Sequence, residues 1–194
     1  MKEQRTFDAT ELRVAKDEKS TRIIGHAAVF NVIGDGGWFR EQVAPGAFAD
    51  SIQTDDVRAL FNHDPNHVLG RNRAGTLKLQ EDERGLLIEV SPPDTQFARD
   101  LLVSIDRGDI TQMSFGFEIL KDSWVKSEDN QPDLRTLEKV RLWDVSPVTF
   151  PFYRETDVAV RSHELWQQTQ KEPEPTWDKI QNMRRRLKIA HARS

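Results

Sequence analysis

The 194-residue sequence has no cysteine, which excludes disulfides, thiolate metal sites and a cysteine nucleophile together and suits a reducing compartment. No apolar run approaches membrane-spanning length, and the basic start Met1-Lys2 leads into no apolar stretch of signal-peptide type, so a cytosolic protein with no membrane partner is expected. Acids are missing from residue 184 onward, where Arg184, Arg185, Arg186, Lys188 and Arg193 stand. With a net charge of -4 for the whole chain, the body before them is acidic, which argues against nucleic acid as its partner. Hydrophobic residues make up 37% and charged residues 31%, so the chain is polar for a globular protein; its length fits one domain and a tail better than two full domains.

What is present centres on Thr111 to Ile119. Met113, Phe115, Phe117 and Ile119 recur with period two, which predicts a β-strand with those residues on its buried face and Ser114, Gly116 and Glu118 on the other. Gly116 has no side chain, so a substrate or a catalytic partner can approach the Ser114 hydroxyl closely from that side. A serine is a poor nucleophile near neutral pH and needs a base within hydrogen-bond reach, itself held by a third group. Val57 to Asp64 reads as another strand, ending at His63 just before Pro65; His63 is the candidate base. The polar run Lys121 to Asp133 and a further strand, Leu134 to Asp144, then predict a hairpin with the serine strand. If the chain folds back near residue 127, Ser114 faces a point close to Glu138, on the same side of the sheet.

Several segments together resemble one family: Gly25 to Phe30, Glu41 to Phe48 with its Pro-Gly-Ala-Phe, Phe61-Asn-His-Asp64, Leu69-Gly-Arg71, Gly108 to Phe117, and Val145 to Pro151. In that order they are similar to the prohead proteases of tailed bacteriophages, relatives of the herpesvirus maturation proteases, over roughly Thr21 to Tyr153. The resemblance implies a mainly β protein with a few helices (α+β), built as a small antiparallel β-barrel of the herpesvirus-protease type. It implies a serine endopeptidase that cuts scaffold or capsid-precursor extensions, and often itself, inside the prohead in the infected bacterium. Major capsid protein precursor and scaffold are then the partners, a homo-oligomer is compatible, and no cofactor or metal is required. Carried over residue by residue, the nucleophile falls on Ser114 and the base on His63. Herpesvirus proteases use a second histidine as third member; here Glu138 stands at the comparable place, and Asp144 on the same strand is the alternative.

The remaining segments frame that site. Phe7 to Val14 and Ile23 to Phe30 read as strands, Gly34-Asp-Gly-Gly37 as a loop without the Lys-Ser or Lys-Thr of a phosphate cradle, and Pro45 to Asp50 as a short helix start packing Phe48 and Ile52 inward. His63 and His67 have a metal-like spacing, but Pro65 between them argues against the helix that would give it meaning. Gly75 to Gln80 and Gly85 to Val90 predict a two-stranded ribbon; Phe97, Leu101, Leu102 and Ile105 predict a helix stopped by Gly108. Pro147 and Pro151 predict a shaped loop over Val145 to Tyr153, one that can offer oxyanion-binding backbone groups, with Arg141 as a further contributor. These readings give a protease domain over residues 1–160. Residues 161–194 form the tail: a stiff Glu172-Pro-Glu-Pro175 linker and a basic amphipathic helix, Thr176 to Ala190, open to removal by self-cleavage. Two other functions fit the same sequence, a non-catalytic scaffold or core protein of the capsid interior and a nucleic-acid-binding module working through the arginine cluster.

Overall fold

The computed structural model describes residues 2–7, 12–17, 20–35, 38–127, 131–150 and 157–170. In chain order the elements are β1 (Glu3–Phe7), β2 (Arg13–Lys16), β3 (Thr21–Val29), β4 (Gly34–Asp35), β5 (Arg40–Val43), α1 (Ser51–Thr54), β6 (Arg58–Phe61), β7 (Asp64–Arg71), β8 (Leu77–Glu81), β9 (Gly85–Val90), α2 (Gln96–Asp106), β10 (Gln112–Val125), β11 (Leu134–Val148) and α3 (Asp157–Gln170). The chain divides into two units, Met1–Val158 and Ala159–Ser194.

The first unit holds two sheets. The smaller is antiparallel, in the order β2-β3-β9-β8; the larger runs β1-β10-β11-β5-β4, with β6 also against β11 and β7 against β6. Alternation builds both. Ile23 of β3 and Leu86 and Ile88 of β9 share one buried cluster with Phe115, Phe117 and Leu142 of the larger sheet and with Leu101 and Ile105 of α2. Phe48 caps this cluster, its ring set edge-on to Phe115 with centroids 5.3 Å apart. The α2 helix begins where the Thr95 side chain accepts the Ala98 N–H and ends as Gly108 takes a left-handed φ of 80°.

Mainly β with a few helices is therefore the architecture, but the small antiparallel barrel is corrected. Among the described residues the strands form two sheets without closure. The larger is mixed, because β11 pairs with β10 antiparallel on one edge and with β5 and β6 parallel on the other. Two boundaries also differ from the sequence reading. The strand expected over Phe7 to Val14 is divided between β1 and β2, and β11 continues through Pro147 to Val148 where a loop was expected. Pro147 is tolerated near a strand end, opposite Met113, and its carbonyl still accepts the Asn62 N–H at 3.0 Å.

Four charged side chains lie buried at one end of the larger sheet, with the half-buried Asp122 beside them. Arg5 of β1 binds Glu41 of β5 and Glu3 of its own strand, the latter at 2.7 Å; Arg135 of β11 reaches Asp122 at 2.7 Å and Glu41 at 3.4 Å. The alternation of β1 puts Glu3 and Arg5 on the side of Phe117 and Phe115, with Arg5 over the Phe117 ring, and turns Gln4 and Thr6 to the opposite face. In this way the cluster ties the N-terminal strand to β5 and β11.

In the second unit the described part of α3 is polar over residues 161–169, and His163 and Trp166 stack on one another. The linker Glu172 to Pro175 and the helix expected over Thr176 to Ala190 lie outside the described residues.

Candidate active site

The β6–β7 hairpin closes through a two-residue turn. Phe61 pairs with Asp64, and the residues between them, Asn62 and His63, have φ of 52° and 58°. Positive φ at both central positions matches the right-handed twist of the flanking strands, and asparagine accepts it more readily than most residues. For histidine it is a costly conformation, of order 1 kcal/mol, which the surroundings must hold. They do so through Asn62. Its amide nitrogen donates to the Thr149 hydroxyl at 3.2 Å, its side-chain oxygen accepts the Thr149 N–H at 2.9 Å, and its own N–H is the one bound to Pro147. The turn is thus pinned across the end of β11, and the His63 ring projects over β10.

There its two nitrogens are both engaged. Nε2 lies 2.7 Å from Ser114 Oγ, and Nδ1 lies 2.5 Å from Asp144 Oδ1. A carboxylate can only accept, so Nδ1 carries the proton, and in a neutral ring Nε2 is the bare acceptor facing the hydroxyl. Ser146 donates a second hydrogen bond to the same Asp144 oxygen, at 2.9 Å. Ser114 has no exposed surface, yet it is turned away from the core face of Met113, Phe115 and Phe117. Its hydroxyl also lies 2.7 Å from the Arg5 carbonyl. One hydroxyl proton cannot serve two acceptors, so the bond to Arg5 is given up whenever the proton points to His63.

Glu138 is not part of this constellation. The hairpin register places Ser146 opposite Ser114 and Asp144 opposite Gly116. Glu138 lies eight residues back along β11 from Ser146, roughly 25 Å at about 3.3 Å per residue. It pairs there with Lys121 at 2.6 Å, and the Lys121 ammonium, together with the Ser123 hydroxyl, holds its carboxyl below the usual carboxylate range. Two features moved the register. The serine strand continues through Lys121 to Val125, residues whose polarity had suggested a loop, so the fold-back point is later in the sequence. Bulges then shift the pairing, one of them leaving Trp143 as an extra residue beside Asp144. Arg141 is also elsewhere, bound to Glu118 at 3.3 Å. His67 pairs with Asp64 at 3.0 Å and packs on Phe97, so the two histidines share no ligand geometry.

The space over Gly116 is filled by Asp144. A Cβ built on Gly116 comes within 2.3 Å of Asp144 Oδ2, closer than any real contact. The carboxylate is pressed against the strand and cannot yield without leaving His63. Gly116→Ala is expected to lower the reactivity of the Ser114 hydroxyl by about 10²-fold, as misplacement of its partners by an ångström does, and to cost about 1–3 kcal/mol of stability as overpacking. Phosphonylation rates beside a urea melt check both.

An open cleft of about 380 Å³ adjoins the histidine, lined by Gln4, Asn62, His63, Val148, Thr149 and Phe150. Apart from His63 its wall carries amide, hydroxyl and apolar groups. Asn62, Ser146 and Gln4 were not singled out from the sequence. The Asn-His pair before an alternating strand was the available signal for Asn62, and nothing local marks the other two.

The sequence model of the family described as caudovirus prohead serine protease matches residues 9–171. The prohead protease of Enterobacteria phage HK97 is 30% identical over 159 residues, which is 79% of this chain and 66% of that protein, so the chain spans just under two thirds of that relative's length. No solved structure matches at a significant level.

Proposed function

The chain belongs to the caudovirus prohead serine proteases, and from that membership we propose that Ser114, His63 and Asp144 are the nucleophile, base and orienting carboxylate of an endopeptidase. The observation that carries this reading is the unbroken hydrogen-bonded chain from Ser114 Oγ through both nitrogens of His63 to Asp144. His63 Nε2 takes the hydroxyl proton as Ser114 Oγ bonds to the scissile carbonyl carbon. The imidazolium so formed is stabilised by Asp144, whose second donor, Ser146, keeps the carboxylate aimed. The same Nε2–H then protonates the leaving amine, the C–N bond breaks and an acyl-enzyme remains. Water, deprotonated by His63, releases the acid and restores the serine.

The substrates that fit this family are the extensions of the capsid precursor and scaffold within the prohead of the infected bacterium. Residues 1–160 carry the catalysis. Residues 161–194 are the tail that self-cleavage removes.

An ethoxyfluorophosphonate probe tests the assignment without a known peptide substrate. Peptide mapping is expected to find one phosphonylated residue, Ser114, in the wild type, and none in Ser114→Ala or His63→Ala. A label on another serine, or equal labelling of the His63 variant, contradicts it.

A further inference from the structure

An acyl-transfer site needs donors aimed at the oxygen that becomes negative in the tetrahedral intermediate, and removing one such donor commonly costs 10²–10³-fold in rate. The hydrogen-bonding groups near Ser114 narrow the choice. The Asn62 carboxamide is tied to Thr149 through its oxygen and one of its two N–H groups, and the Thr149 N–H is taken by Asn62. Gln4 is different. It lines the same cleft as His63, and its carboxamide makes no hydrogen bond to any described residue.

Its strand position brings it to the nucleophile. Thr6 pairs with Ser114 and Gln4 with Gly116, so the Gln4 side chain rises from the face that also carries Ser114 and Asp144. Gln4 and Ser114 are diagonal neighbours across an antiparallel pair. That places their backbones roughly 7–8 Å apart, a span that a long side chain bridges. Gly116, directly opposite, adds no side chain of its own, and the group over it is the Asp144 carboxylate, so the Gln4 amide reaches the cleft above that carboxylate. The other face of β1 is fixed by the buried ions: Glu3 and Arg5, on either side of Gln4, are held by Glu41 and Arg135. The strand that presents Gln4 is therefore rigid, which is the condition for a donor that costs no reorganisation when the charge develops.

We propose that the Gln4 side-chain amide is an oxyanion donor of this protease, hydrogen-bonding the carbonyl oxygen of a peptide lying in the cleft between β1 and His63. The proposal rests on Ser114 being the nucleophile. In the reaction written above, the Gln4 Nε2–H groups meet the oxygen as Oγ adds to the carbon; no proton moves to or from Gln4. Buried pairing partners sit on both sides of it, so the N-terminal strand serves catalysis as well as the sheet.

The second-order rate of Ser114 phosphonylation by the ethoxyfluorophosphonate probe, whose P=O takes the oxyanion position, tests it in the full chain. Gln4→Ala and the isosteric Gln4→Glu, which keeps the shape but presents an acceptor, are each expected to react on the order of 10²-fold more slowly than the wild type. Hydrogen exchange should find the β1 amides as protected as in the wild type, separating a lost donor from a lost strand. Rates within about threefold of wild type in both variants, with Ser114→Ala unlabelled, overturn the role of Gln4 and leave the serine reading intact. Slowing that appears only together with loss of β1 protection also overturns it. Labelling that persists in Ser114→Ala removes the nucleophile, and this proposal with it.

Discussion

Asp144→Asn is expected to lower the cleavage rate by about 10⁴-fold with little change in stability, whereas Glu138→Gln leaves the rate within about threefold. The asymmetry follows from which atom each carboxyl meets. Asp144 Oδ1 accepts from His63 Nδ1, and an asparagine amide turned to that position donates instead, favouring the tautomer with its proton on Nε2. That proton points at Ser114 Oγ, and a ring so arranged cannot take the serine's own. Among the described residues Glu138 meets Lys121 and Ser123, on the half-exposed part of the hairpin where an ion pair adds little. Rates of self-processing or precursor cleavage for both variants, measured side by side with melting curves, decide it. Equal loss in the two, or loss in Glu138→Gln alone, contradicts the geometry.

The largest effect on stability is expected at Arg135. Its side chain is fully buried and stands among Glu3, Glu41 and Asp122, and it shares the first two with Arg5. Arg135→Met keeps the bulk against Trp124 but strands buried negative charge. Breaking a buried pair from one side costs about 3–5 kcal/mol, which for a chain of this size lowers the melting temperature by roughly 10 °C. By contrast, Lys78→Met, which loses an exposed pair with Glu89, is expected to cost no more than about 1 kcal/mol of stability. Urea midpoints of the two variants make the comparison. A small effect at Arg135 would mean that the cluster does not hold β1 to β5 and β11.

How far the sequence reveals this molecule depends on whether a residue's neighbours are local. The period-two run from Met113 to Ile119 is a local signal, and it yielded the strand, its core face and the face of Ser114. The α2 helix and the β8–β9 ribbon were legible for the same reason. His63 stood out by its place between polar residues before a proline, although the left-handed turn that aims its ring depends on a clamp from Thr149, 86 positions later in the chain. For the carboxylate beside His63, local reasoning preferred Glu138 to its alternative, Asp144, which is the one that meets the ring. The polar residues Lys121 to Ser123 resembled a loop, yet they belong to a strand whose outward face is wet, and a bulge is invisible to periodicity. A fold-back point misplaced by a few residues moves every partner on the opposite strand by twice as many, which separates Glu138 from Asp144. Gly116 was read as room beside the hydroxyl; the group that fills that room is the Asp144 carboxylate. The barrel failed for a related reason, since parallel pairing of β5 and β6 on β11 is a long-range choice. The ions at Glu3, Arg5, Glu41 and Arg135 look like surface in any sequence, and only the closing of β1 over β10 buries them.

Peptide cleavage by Ser114 during capsid maturation is tested most directly by intact mass spectrometry of co-expressed proteins. Wild-type chain and Ser114→Ala are each produced with the capsid precursor of the same phage, and the masses of both partners are recorded after prohead assembly. Precursor or tail shortened in the wild type and full length with Ser114→Ala is the predicted result, and the mass differences give the cut sites. Shortening by both proteins, or by neither within assembled proheads, would contradict it.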